Sequence, residues 1–194
     1  KQISHPDPWH PEQWATPLGA KIVVEVGGRE VWIRPWLHVQ GSPRGYRVPI
    51  ILLDTDLDEN APEDRRITDH LYGGDEEYRL KQEIVLGIGA VRVLHTLGFD
   101  ITTYHLNEGH AALLTVELLR MFRIASGNGH DGPTAYDISR VRDMCNFTTH
   151  TPVEAGHDRF EYTLARRLLG DIFDVEMLKN FAGVGSLNMT RLAL

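Results

Sequence analysis

The chain has 194 residues, 42% of them apolar and 24% charged, which is the size and composition of one ordinary domain with a core of its own. Its 20 basic and 27 acidic side chains give a formal charge of -7, a balance that repels nucleic-acid backbones and anionic lipid surfaces and disfavours both as partners. No apolar run reaches a membrane span, the opening Lys1-Gln2-Ile3-Ser4-His5-Pro6 has no signal-peptide core, and the single Cys145 has no internal disulfide partner, all of which suit a cytoplasmic protein.

In chain order, the segment up to about Trp14 is rich in proline, tryptophan and histidine and reads as an extended surface stretch. Lys21 to Val26 and Val31 to Trp36 are β-branched runs around Gly27-Gly28-Arg29-Glu30, a hairpin signature, and Tyr46 to Asp54 reads as a third strand. Leu57 to Asp64 is an acidic surface loop. From Asp75 the period becomes helical: Tyr78, Ile84, Val85, Ile88, Val91 and Leu94 form an apolar stripe, and the pairs Glu77/Lys81 and Arg79/Glu83 fall on the outer face. Gly98 caps that helix. Phe99 to Leu106 follows as a strand, Gly109 to Phe122 as a helix, and Ser126 to Pro133 as a glycine-rich loop. A helix near Tyr136 to Val141, a strand over Arg142 to Thr148, and helices near Glu161 to Leu169 and Val175 to Lys179 come next, and Met189 opens a further amphipathic helix. The order helix, strand, helix implies parallel pairing, so the expectation is an α/β chain with a mixed sheet, β-rich over 1–55 and α/β over 56–194. Both termini read as cut.

Ligands of open parallel sheets bind where strand ends meet the following loops. Two such junctions are polar: Asn107-Glu108-Gly109-His110 and Thr148-Thr149-His150-Thr151-Pro152-Val153-Glu154. Taken one at a time, each has a bland reading. Asn107 and Glu108 suit helix capping, and His110 suits a packed, hydrogen-bonded first-turn histidine. Thr149, His150 and Thr151 could satisfy loop backbone groups. The recurrence of histidine, carboxylate and small hydroxyl or amide residues at one sheet edge points instead to a polar pocket, with neutral donors and acceptors suited to sugar hydroxyls.

Tyr104-His105-Leu106-Asn107-Glu108-Gly109-His110-Ala111-Ala112-Leu113-Leu114 resembles the strand-to-helix junction of alpha-glucan phosphorylases, particularly the shorter bacterial and archaeal branch. Leu71-Tyr72-Gly73-Gly74-Asp75 with Tyr78-Arg79-Leu80-Lys81-Gln82-Glu83, then Thr148-Thr149-His150-Thr151-Pro152 and Leu187-Asn188-Met189-Thr190, are similar to the same family in the same order. Asp7-Pro8-Trp9 and Gly45-Tyr46-Arg47 fit its upstream β region. The resemblance implies a partial Rossmann-like N-terminal domain of a two-domain, GT-B-type glycosyltransferase. It also implies reversible phosphorolysis of an alpha-1,4-glucan to glucose 1-phosphate with inorganic phosphate. By the same resemblance His150 is the catalytic residue, acting through its side chain and backbone carbonyl on the developing oxocarbenium ion. Glu108, His110, Thr151, Asn107 and Asp75 bind substrate, and Tyr72-Gly73-Gly74-Asp75 is a mobile gate. The longer enzymes carry Asp-Thr-His where this chain has Glu108-Gly109-His110. Pyridoxal phosphate serves the family through a second domain with no counterpart here, so this chain alone is expected to bind no cofactor and to be inactive. Its uncovered edge is expected to self-associate.

Two alternatives stand beside this reading. A metal-dependent hydrolase would assemble a site from His105, Glu108, His110, His150, His157 and Asp158, although no short zinc motif supports it. A non-catalytic carbohydrate-binding module would use Trp9, Trp14, Trp32 and Trp36, which otherwise read as core. Gly87-Ile88-Gly89 imitates a dinucleotide fingerprint, but it falls within a helix and Arg92 takes the third glycine position. Cys145 reads as an inert buried thiol.

Overall fold

The computed structural model describes residues 10–71, 74–124, 135–153 and 156–194. Asp7-Pro8-Trp9, Tyr72, Gly73, the Ser126 to Pro133 loop and Glu154 lie outside them. The architecture is a mixture of helices and strands, with the strands concentrated in the first third of the chain.

Four strands form an antiparallel sheet: β1 (Thr16–Pro17), β2 (Ile22–Val26), β3 (Arg29–Gly41) and β4 (Arg47–Asp54). The long β3 pairs with all three others. Gly27 and Gly28 take φ 60 and 75, the left-handed pair that a two-residue hairpin turn requires, so Arg29 and Glu30 already belong to β3. Alternation does the rest: Ile22, Val24, Val26, Val31 and Ile33 enter the core while their neighbours face outward. Ahead of β1, the expected extended stretch contains a 3-10 turn over Pro11–Gln13, where the proline's fixed φ suits the first helical position.

The helical run opens at Asp75, whose side chain accepts from the Tyr78 amide 2.9 Å away, and comprises α1 (Glu76–Ile84), a π turn (Val85–Gly89) and α2 (Ala90–Thr96). Gly98, at φ 81, and Phe99 return their amides to His95 and Leu94, the closing pattern expected of a glycine cap. Glycines make the middle of this rod thin. A β-carbon at Gly87 would lie 2.8 Å from the Leu114 amide nitrogen, and one at Gly89 would lie 2.8 Å from Ile33 Cδ1. One side of the rod therefore packs on β2 and β3 and the other on α3 (Leu113–Met121), which is buried from Leu113 through Leu119. The Gly87-Ile88-Gly89 motif is thus a packing feature.

After Gly98 the expected strand begins late, as β5 (Tyr104–Asn107), since Phe99 follows the helix cap and stays 51% exposed. The helix expected from Gly109 starts as a 3-10 turn (Gly109–Ala111). Asp137 caps α4 (Ile138–Met144) by accepting from the Arg140 amide, which draws Arg142 to Met144 into helix and shortens the next strand to β6 (Cys145–Thr148). β5 and β6 run parallel, Asn107 opposite Thr148. β7 (Arg159–Phe160) pairs antiparallel with β8 (Leu187–Asn188), and α5 (Tyr162–Leu169), α6 (Val175–Ala182) and α7 (Met189–Ala193) complete the described residues. Among the described residues the expected mixed sheet is therefore corrected to three separate sheets, since the later strands, two to four residues long, pair only as β5 with β6 and β7 with β8. One hydrophobic cluster nevertheless runs from Val24 and Ile33 through Ile88 and Leu118 to Leu169 and Leu178.

Candidate functional site

Parallel pairing in register brings β5 and β6 to an end at the same level, where the Glu108 amide donates to the Thr148 carbonyl at 2.8 Å. Asn107 and Glu108 leave one strand beside Thr149, His150 and Thr151 leaving the other. The Glu108 carboxylate does not cap the following helix. It accepts from the His150 amide at 2.5 Å, the Thr149 hydroxyl at 3.0 Å and the Thr151 hydroxyl at 3.2 Å. The His150 ring donates through Nε2 to Asn107 Oδ1, 3.1 Å away. These amide and hydroxyl donors, the His150 amide foremost, hold the Glu108 carboxyl below its ordinary range. The junction thus presents an exposed imidazole with a fixed anionic charge beneath its loop.

His110, two residues beyond Glu108, faces a different set. Its Nδ1 lies 3.0 Å from Asp158 Oδ2 and 3.1 Å from Arg79 Nη2, while Arg79 donates to Asp158 at 2.8 Å and to Glu83 at 3.4 Å. Burial pushes against the Asp158 charge, but hydrogen bonds from His110 and Arg79 and the positive charge of Arg79 outweigh it and bring the Asp158 pKa down to about 2. For Glu83 burial dominates, the Asp158 charge adds to it, and its pKa rises to about 9. The expected outer-face pair is corrected here. Glu77 and Lys81 do pair outward at 2.8 Å, whereas Glu83 is 3% exposed and shares the inward side of α1 with Leu80 and Ile84. Sequence reasoning missed Arg79 and Glu83 as site residues, although their adjacency to the Leu80 and Ile84 stripe was the available signal.

His110, Arg79 and Glu83 line a cavity of about 370 Å³ walled by Ile51, Leu53 and Leu86, and none of Glu108, His150 and Thr151 lines it. Asp75 lies apart from the Glu108 cluster. It is engaged as the α1 cap and, with Arg79, His157 and Asp158, borders a second hollow of about 480 Å³. His157 donates through Nε2 to the Thr151 carbonyl at 3.1 Å, leaving Nδ1 to meet the Thr190 hydroxyl at 2.6 Å, so it ties the His150 loop to α7. At Gly109 a β-carbon would come within 3.0 Å of Met189 Cβ and 3.1 Å of the Thr190 amide nitrogen. The close approach of α7 gives a physical reason for glycine in Glu108-Gly109-His110.

The alternatives fare unevenly against this geometry. Donor atoms of Glu83, His110 and Asp158 converge within 4.8 Å, but Arg79 brings its own positive charge among them, which disfavours a metal ion. His105 is spent on Thr148, at 2.8 Å. Trp36 is buried with its indole nitrogen donating to Asp54, Trp32 is half-buried, and Trp14 meets His38 edge-on, so the described tryptophans form no coplanar platform. Burial lifts the Cys145 thiol to about 11, which makes it unreactive at neutral pH.

The sequence is 45% identical over 130 residues to the glycogen phosphorylase of Mycobacterium tuberculosis strain H37Rv, a match covering 64% of this chain and 15% of that protein. It is 35% identical over 205 residues to the maltodextrin phosphorylase of Thermococcus litoralis, covering all of this chain and 24% of that protein. The glycogen phosphorylase of Aquifex aeolicus is 32% identical over 162 residues, covering 82% and 22%. The chain therefore spans a quarter or less of the length of these curated relatives. No family model matches it.

Proposed function

The chain belongs to the alpha-glucan phosphorylase family, and on that premise we propose that it supplies one wall of a glucosyl site used in reversible phosphorolysis of an alpha-1,4-glucan by inorganic phosphate. One observation carries the proposal: parallel β5 and β6 end together, and the Glu108 carboxylate from one strand holds the His150 loop of the other. In this reading His150 contacts the transferred sugar, and the Glu108 charge adds negative potential where an oxocarbenium ion develops. Thr151 and Asn107 orient that loop, His110 offers its ring from the neighbouring cavity, and Asp75 sets the entry of α1.

The parallel pair and its crossover helices are read as part of a Rossmann-like N-terminal domain of a GT-B-type, cytoplasmic glycosyltransferase, with 1–194 forming one partial domain. The described lysines Lys21, Lys81 and Lys179 each pair with a glutamate at the surface and offer no fit for a pyridoxal phosphate Schiff base. In the proposed reading the family's cofactor is held by residues outside this chain, and the chain by itself is expected to be inactive.

The test is glucose 1-phosphate formed from maltodextrin and phosphate by the complete gene product and by its His150→Ala variant. Loss of transition-state stabilisation should lower kcat about 100-fold or more. Equal rates would remove His150 from the mechanism, and no product from the wild type would remove the assignment.

A further inference from the structure

Glu83 sits at the end of the His110 cavity, 3% exposed, with its Oε2 lacking any protein partner and its Oε1 receiving only a long bond from Arg79. A buried carboxylate oxygen left in this way is costly, and a proton removes the cost only if it has somewhere to point. Asp158 provides that acceptor. It belongs to the loop ahead of β7, lies within the 4.8 Å cluster, and already accepts from Arg79 and His110. We infer that Glu83 stands as a neutral acid donating to the Asp158 carboxylate, and that this carboxyl–carboxylate pair, held by Arg79, is the positioning device for the His110 ring.

The charges around the pair decide between its states. Two ionised carboxylates and one guanidinium would leave a net buried negative charge, whereas one shared proton balances Arg79 against Asp158 and satisfies the orphaned oxygen. Asp158 then accepts from three side chains on two elements: Arg79 and Glu83 on α1, and His110 on the 3-10 turn after β5. The imidazole is thereby fixed at Nδ1, through Asp158 Oδ2 at 3.0 Å. Burial and the Asp158 charge both favour the protonated form of Glu83, with a pKa near 9, which agrees with the geometry. The positioning role rests on His110 facing sugar, as proposed above, whereas the shared proton does not depend on it.

The sign of the pH effect follows. Glu83 ordinarily titrates at 4.5 and in the folded chain at about 9, so the folded state holds an extra proton between those values and stability falls as pH rises through that window. Asp158 acts oppositely and at lower pH, losing its contribution as pH falls below 3.8 towards about 2.

The experiment compares wild type, Glu83→Gln and Glu83→Leu in the complete gene product, by melting temperature from about pH 6 to about pH 9 and by kcat and KM for maltodextrin. The wild type should lose at least about 5 °C across the window, and Glu83→Gln, which keeps a donor without a titrating proton, should show a clearly flatter profile. Glu83→Leu removes the donor and should impair phosphorolysis roughly tenfold, and Glu83→Gln should restore most of that loss. Parallel melting profiles for wild type and Glu83→Gln would overturn the shared proton. A flat Glu83→Gln profile with unimpaired phosphorolysis by Glu83→Leu would overturn the positioning role alone. A wild type without phosphorolysis would sink the function proposed above and the role with it, and the melting profiles would still decide the proton.

Discussion

At Glu108 the backbone takes φ 63 and ψ 179, and among the described residues it is the one non-glycine in the left-handed range. Such strain persists where surrounding contacts over-determine it, and here three donors from the second junction grip the side chain. Glu108→Ala should release the loop, giving faster amide exchange at His150 and a lower kcat, whereas Glu108→Gln, whose carbonyl oxygen still accepts from the His150 amide, should retain most of the protection. Unchanged exchange in the alanine variant would refute the grip. The carboxyl lies below its ordinary 4.5, so its contribution is present at neutral pH and disappears only as pH falls through that lowered value. The polarity of the two strand ends, at Asn107, Glu108, His110, His150 and Thr151, was legible in the sequence, but the turn of His110 away from the others to Arg79 and Asp158 was not. Arg79 and Glu83 were not, because a four-residue spacing looks the same whether the pair faces water or a buried partner.

The rod from α1 through the π turn to α2 shows how packing outranks propensity at the level of the element. Alanine in place of glycine gains about 1 kcal/mol of helix propensity, while overpacking typically costs about 1–3 kcal/mol. At Gly87 the obstacle is the Leu114 backbone and the Leu113 β-carbon at 2.8 and 2.9 Å, neither of which can rotate aside, so Gly87→Ala should lose about 1 kcal/mol net. At Gly89 the obstacle is the tip of Ile33, which can adopt another rotamer, so Gly89→Ala should be close to neutral. Melting temperatures settle the comparison: a larger loss at Gly89 than at Gly87 would contradict it. Helix existence was readable from the apolar stripe and from Asp75 and Gly98 at its ends. The π turn was not, because five residues are too few for their local period to be told from that of the α-helix on either side. Likewise Arg142 to Met144 have residues compatible with strand, and the Asp137 cap takes them into α4.

Across the whole molecule, β4 is paired on one side only among the described residues, and it leaves Val48 at 56% and Ile50 at 39% exposure, with Tyr46 at 72% just before it. A long, apolar, open edge is a template for further pairing. Sedimentation of this chain should therefore show mass rising with concentration, and Ile50→Lys should suppress the rise; a monomer at every concentration would remove the expectation. No helix among the described residues is long and apolar enough to cross a membrane. By itself the sequence determined the order of the longer strands and helices, the hairpin at Gly27-Gly28 and the polar character of the two strand ends, since period, turn chemistry and capping act over a few neighbouring residues; the two-residue strands β1, β7 and β8 carry no such signal. The tertiary structure alone decided that the strands divide into three sheets, that Glu108 grips the His150 loop, and that Glu83 and Arg79 turn inward to Asp158. The last two outcomes depend on partners 41 to 79 positions distant, whose approach is set by how the core closes.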